Sequence, residues 1–270
     1  MKILFIGDVA WDNGRKALED NLPKLRQKLK PDAVIVNGEN SAHGIGITPK
    51  IADWMINDLN VDCITGGDHS FDKRDIIPYM PDQPKLIRPA NYNNMSGNGL
   101  YSFRIANGQF ITVINMIGRV FTGALVDCPF KTIDKILSNI KLKTNSDAII
   151  IDFHAEATSE KYCFGHYVDG RVSGVFGTHT HIPTADHQIL PNGTAYQTDV
   201  GMTGAYTGSI GVDLDVPMQG FLQGRMIDKM QAASGEATVC GVFIETDDNT
   251  GKAISIKPIR MGGKELEQSS

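Results

Sequence analysis

The chain has 270 residues and a formal net charge of −5, which excludes a global basic surface recruiting nucleic acid or anionic lipid. That length can bury a sizeable core. Four cysteines, none in a CxxC pair, exclude a thiolate zinc site and do not make a secreted disulfide framework, so four free thiols and a cytoplasmic setting are expected.

Residues 3–6 form an apolar run of strand length, too short for a signal peptide's apolar region or a membrane span. Leu18, Leu22, Leu25 and Leu29 recur at helical spacing, with Pro23 expected as a kink or restart. Residues 33–36 read as a second strand. Thr48 is an N-cap with Pro49 at the first helical position, and Ile51, Trp54, Met55 and Leu59 follow on one face. Residues 61–65 read as a third strand. Strands alternating with helices predict a parallel sheet with right-handed crossovers.

Beyond this third of the chain the pattern changes. Runs at 101–105 and 110–114 flank Asn107-Gly108, a strong hairpin signal. A helix is expected over 131–142, with strands at 148–153 and 172–176. Asn192-Gly193 marks a turn, and runs at 239–246 and 253–259 flank another. The tail after Met261 is short and polar and reads as disordered. No repeat, low-complexity segment or linker interrupts the chain, so one domain spanning 1–270 is expected.

Five segments share one feature: an apolar strand ending in glycine or a polar, ligand-type residue. They are Ile6-Gly7-Asp8, Asn37-Gly38-Glu39-Asn40, Gly66-Gly67-Asp68-His69, Asp152-Phe153-His154 and Gly177-Thr178-His179-Thr180-His181. In open α/β sheets ligands bind beyond the carboxyl ends of the strands, where residues distant in sequence can meet. His179 and His181, two apart in an extended segment, would point to the same side. Each residue also has a plainer role open to it: Asp8 and Asp68 as turn residues or caps, Glu39 as a surface ion pair, His154 as a core histidine. All six being structural while all lie at strand ends is the less economical account. Mixed carboxylate and imidazole donors suit iron, manganese or zinc. Six ligands are too many for one catalytic ion with an open position, and suit two ions sharing a carboxylate. Such a pair, roughly 3.5–4 Å apart, clamps a phosphoryl group and acidifies a bridging water that attacks phosphorus. His69, beside Asp68, is the candidate proton donor to the leaving oxygen.

These segments resemble the calcineurin-like metallophosphoesterases, and within them the bacterial YmdB-type phosphodiesterases. Arg88-Pro89-Ala90-Asn91-Tyr92, Gly118-Arg119-Val120-Phe121 and Thr198-Asp199-Val200-Gly201-Met202-Thr203-Gly204 extend the match over essentially the whole chain. The wider superfamily has His where Ala10 stands and Asp where Glu39 stands; both departures are typical of the YmdB type. A third is not: Asp68 replaces an Asn of that group, adding a negative charge. The resemblance implies an α/β fold built as a four-layer α/β/β/α sandwich with mixed sheets. It also implies two divalent or trivalent ions, commonly iron. One would be held by Asp8, Glu39, Asn40 and His181, the other by Glu39, Asp68, His154 and His179. The implied activity is hydrolysis of cyclic nucleotides, 2′,3′-cyclic mononucleotides above all, in a protein often homo-oligomeric. A phosphomonoesterase or nuclease with the same metals, and a weakly active metal-bearing regulatory protein, are the competing readings.

Other conspicuous residues receive milder roles. His43 reads as an exposed loop histidine, and His166 and His187 as surface or structural. Arg119 suits a phosphate or a salt bridge equally. The glycine-rich run 201–211 lacks the lysine and spacing of a P-loop and reads as a tight loop near the site. Trp11 and Trp54 are expected to pack.

Overall fold

The computed structural model describes residues 1–123, 125–225 and 228–263, so part of the polar tail read as disordered lies outside the described residues. In chain order the strands are β1 (Lys2–Ile6), β2 (Ala33–Asn37), β3 (Cys63–Thr65), β4 (Leu100–Arg104), β5 (Phe110–Ile117), β6 (Ala148–His154), β7 (Gly174–Thr178), β8 (Gln188–Ile189), β9 (Ala195–Gln197), β10 (Thr238–Thr246) and β11 (Ala253–Gly262). The α-helices are α1 (Trp11–Leu29), α2 (Pro49–Asp53), α3 (Ile76–Tyr79), α4 (Pro129–Asn139), α5 (Thr158–Tyr167) and α6 (Asp215–Gln223).

Two mixed sheets form. The first has the order β11-β10-β1-β2-β3, and the second β4-β5-β6-β7-β9-β8. Strands β1, β2 and β3 run parallel, and β10 and β11 join antiparallel at the edge. In the second sheet β5, β6, β7 and β9 are parallel, flanked by antiparallel β4 and β8. The parallel strands expected from sequence are therefore divided between two sheets.

Strand alternation explains the layering. On β1, Leu4 and Ile6 pack with Leu18, Leu22 and Leu25 of α1, whereas Ile3 and Phe5 face the other sheet. On β6, Ile149, Ile151 and Phe153 pack with Ile133 and Leu137 of α4 and Phe164 of α5, whereas Ala148 and Ile150 face the first sheet. The result is an α/β/β/α sandwich with three apolar layers.

Several local expectations are corrected. Helix α1 runs unbroken through Pro23. Pro23 and Glu19, whose carbonyl loses the helical partner, are both exposed, so water can satisfy that carbonyl. The third strand is confined to Cys63–Thr65, and α4 starts two residues early and ends at Asn139. Strands β8 and β9 and helices α3, α5 and α6 carry no clear sequence periodicity. The four cysteines are free.

Candidate metal centre

Toward the carboxyl ends of the parallel strands, the layer between the sheets changes character. The apolar positions Ile35, Cys63, Val113, Ile150 and Phe176 are each followed, two residues on, by a buried polar one: Asn37, Thr65, Asn115, Asp152 and Thr178. Asp152 is the hub of this polar storey. It accepts from Asn37 Nδ2 at 2.9 Å, from Thr178 Oγ1 at 2.7 Å, and from the Thr65 hydroxyl. Burial pushes its carboxyl up to about 7.

Above the storey the sequence-predicted residues converge. Glu39, Asp68, His154 and His179 offer ligand atoms all within 4.8 Å of one another. His154 Nε2 lies 2.7 Å from Asp68 Oδ1, 3.1 Å from Glu39 Oε1 and 3.0 Å from His179 Nδ1. Asp8, Asn40 and His181 stand to one side of this group. The Asn40 amide is 3.0 Å from His181 Nε2 and 3.4 Å from Glu39 Oε1. Asp8 Oδ2 accepts the His179 backbone N–H at 3.3 Å, and its Oδ1 lies 3.8 Å from His154 Nδ1. Gly67 makes the crowding possible: a Cβ there would strike Glu39 and the His154 ring.

Each of the three imidazoles has its outer nitrogen occupied. Thr178 spends its only proton on Asp152, so it must accept from His154 Nδ1–H at 2.9 Å. His179 Nε2 faces Glu156 Oε2 at 3.2 Å. His181 Nδ1 donates to the Ile210 carbonyl at 2.8 Å. The inner nitrogens, His154 Nε2, His179 Nδ1 and His181 Nε2, are thereby turned toward Asp68, Glu39 and Asn40. Partners of this kind fix the orientation of metal-binding histidines.

The electrostatics agree. Burial pushes the Asp8 carboxyl up, against the pull of His181 and His154. Burial also works to raise Glu39 and Asp68, but His154 outweighs it at both, aided at Asp68 by His179, and both carboxyls sit below their usual range. Burial opposes a charge on His154, yet Glu39 and Asp68 hold that imidazole well above its usual value. A proton drawn so strongly between carboxylates marks a place for a cation. Asp8 Oδ1 adds a second sign: it is buried without a hydrogen-bond partner. The mixed oxygen and nitrogen donors and this orphaned acceptor fit a metal centre.

His69 lies at the rim. Its backbone N–H donates to Glu39 Oε2 at 3.1 Å, and its Nδ1 pairs with Asp72 Oδ2 at 2.8 Å. Its Nε2 is 3.8 Å from Asp68 Oδ2. Burial works to lower the His69 pKa, but Glu39, Asp68 and Asp72 raise it above the ordinary value. Tyr92 sits edge-on to Phe71 beside the same carboxylates, and burial pushes its phenol up to about 12.

The remaining residues fall outside this cluster. His43, His166 and His187 are exposed, and Arg119 is exposed with no ion pair among the described residues. Trp11 packs beside Gly44 and Trp54 against the α1-side core. The run 201–211 does reach the site, through Ile210. Sequence reasoning missed Thr178, Asp152 and Glu156 as supports. For Asp152 a signal existed, because strand alternation puts it on the same face as His154.

The YmdB-like protein family matches residues 4–259 of the chain. The chain is 46% identical over 260 residues to the 2′,3′-cyclic-nucleotide 2′-phosphodiesterase of Bacillus subtilis (strain 168), covering 96% of each chain. A solved hypothetical protein from Thermus thermophilus superposes with a TM-score of 0.89 at 35% identity, over 98% of this chain and 100% of that one. A solved phosphatase from Mycoplasma pneumoniae gives a TM-score of 0.88 at 36% identity, over 97% of this chain and 93% of that one.

Proposed function

Because the chain belongs to the YmdB-like family, we propose that it is a cytoplasmic, single-domain, two-metal phosphodiesterase that opens 2′,3′-cyclic mononucleotides. The observation that carries this reading is the set of three imidazoles, each anchored by its outer nitrogen, with the inner nitrogens of His154 and His179 turned toward Glu39 and Asp68 and that of His181 toward the Asn40 amide. Free thiols support the cytoplasmic setting.

Asp8, Glu39, Asn40 and His181 would hold one ion, and Glu39, Asp68, His154 and His179 the other, with Glu39 shared and iron the first choice of metal. Bound there, the ions supply charge neutralisation for the phosphodiester and acidify water. The chain's own residues do the rest. Asp152 and Thr178 keep His154 in one tautomer and orientation. Glu156 does the same for His179, and Ile210 for His181. Asp72 holds His69 by Nδ1, and Glu39, Asp68 and Asp72 raise the ring's pKa above its ordinary value, so that Nε2 is placed to pass a proton to the departing ribose oxygen. Tyr92 and Phe71 form an edge-on aromatic pair beside Asp68 at the rim of the site.

Turnover of a panel of 2′,3′-cyclic and 3′,5′-cyclic nucleotides, phosphomonoesters and short RNA, with metal analysis of the same sample, tests the proposal. Preference for 2′,3′-cyclic substrates with two ions per chain is expected. Preference for monoesters or RNA, or fewer than two ions at full activity, would overturn it.

A further inference from the structure

Lys161 is a lysine in α5 with only 1% of its side chain exposed. Its Nζ donates to the Thr178 carbonyl at 2.7 Å and to Asp199 Oδ2 at 2.8 Å. Asp199 is equally buried. The same Oδ2 accepts the Thr180 backbone N–H at 3.1 Å and the Thr180 hydroxyl at 2.7 Å, while Oδ1 accepts the Gly201 N–H at 2.8 Å. One carboxylate thus ties together α5, the turn carrying His179 and His181, and the segment after β9.

That turn needs holding. His179 and His181 adopt φ of 99° and 65°, the left-handed region that non-glycine residues enter at a cost. Such strain persists only where the surroundings over-determine the backbone. The Lys161–Asp199 pair grips the residue on each side of His179, Thr178 by its carbonyl and Thr180 by its N–H. Tyr206 completes the grip by donating to the His181 carbonyl at 3.0 Å. A buried ion pair is a poor source of stability, because desolvating two charges offsets their attraction. What this pair supplies, and an apolar pair of the same volume could not, is directed bonding to both sides of a strained turn.

We infer that Lys161 and Asp199 are positioning residues for the metal centre, fixing the turn so that His179 Nδ1 and His181 Nε2 face the ions. The inference rests on the proposed metal-binding role of those histidines. Among the described residues neither side chain hydrogen-bonds the side chain of a candidate ligand, so their positioning effect passes through the backbone of residues 178–181.

The test is calorimetric titration of Mn²⁺ into chelator-stripped protein, with thermal melting of the same stripped samples. Thr180→Val removes only the hydroxyl arm, and should weaken Mn²⁺ binding about threefold while leaving the melting temperature unchanged, since one neutral arm is worth little beside the charged pair. Lys161→Met and Asp199→Asn should each weaken it by about tenfold or more, in the range seen for supports of metal ligands. Each of these single variants leaves one buried charge alone and should melt earlier. The double variant Lys161→Met/Asp199→Asn removes both charges. It should regain melting temperature relative to either single variant without regaining Mn²⁺ affinity. Parent-like affinity in Thr180→Val together with the double variant would overturn the inference, as would affinity that simply tracks melting temperature. A parent protein that takes up no Mn²⁺, Zn²⁺ or Fe²⁺ would instead refute the metal reading on which the inference stands.

Discussion

The two sheets bring different chemistry to the site, and hold it by different means. The first sheet supplies the acids: Asp8, Glu39 and Asp68 follow β1, β2 and β3 in backbone with no left-handed residue at those positions. The second supplies the imidazoles: His154 ends β6, and His179 and His181 follow β7 in left-handed backbone. The acidic half is set by strand ends and by glycine clearance. The imidazole half is set by strain and by hydrogen bonds to Thr178, Glu156 and Ile210. Neither half is a site alone, because three crowded carboxylates, two of them buried, repel one another and three imidazoles lack counter-charge. The centre exists where the upper edges of the two sheets meet.

The comparison would break first at Glu39. Glu39→Gln removes the charge that serves both proposed ions, and should lower turnover by about 10²–10³, the scale of losing a major electrostatic element. The change is isosteric, so the fold should survive. Near-parent activity with two ions bound would show that the acidic half does not depend on this residue.

His69 comes next. His69→Ala should cost about 10² in rate on a substrate with a poor leaving group. The loss should shrink for a nitrophenyl ester, whose leaving group needs no proton, and metal content should stay at the parent level. Equal losses on both substrates would assign His69 to substrate binding.

The charge balance between the halves gives a pH prediction. Glu39 and Asp68 raise His154 above its ordinary 6.5 despite burial. In stripped protein that proton stabilises the fold fully below about pH 6.5, and the stabilisation is lost as pH rises through the raised value. A metal must displace the same proton. Its apparent affinity should therefore rise about tenfold per pH unit below that value and level off above it. Metal titrations at several pH values would check this, and a pH-independent affinity would contradict the coupling.

The smallest expected effects sharpen the comparison. Glu156→Gln keeps the shape beside His179 but loses the charge, and should weaken metal binding about tenfold. Asp68→Asn tests the departure from the family pattern. It removes one negative charge 2.7 Å from His154 Nε2, so metal should bind less tightly. At saturating metal the variant should turn over 2′,3′-cyclic nucleotides at least as fast as the parent, because less negative charge opposes the anionic substrate. Unchanged affinity and unchanged rate together would remove Asp68 from the ligand set.

Much of this was legible in the chain. The apolar runs at residues 3–6, 33–36 and 148–151 marked buried strands, because the part of a strand packed on both faces by apolar layers is itself apolar. Glycines and polar residues just past those runs marked the ligand loops. Short elements were not legible: β8 has two residues and β9 three, too few for a pattern to register. Lys161 was invisible for a different reason. Nothing in sequence separates a lysine on a solvated helix face from one buried against a distant aspartate.

By itself the sequence determined the apolar strands, the polar strand ends and hence the kinds of donor present, since these depend on local alternation and residue chemistry. Only the tertiary structure decided that the strands divide between two sheets, that acids come from one and imidazoles from the other, and which ring nitrogen of each histidine points inward. Those outcomes rest on hydrogen bonds between residues far apart in the chain, such as Thr178 to Asp152 and Lys161 to Asp199, whose partners meet only once the sandwich has closed.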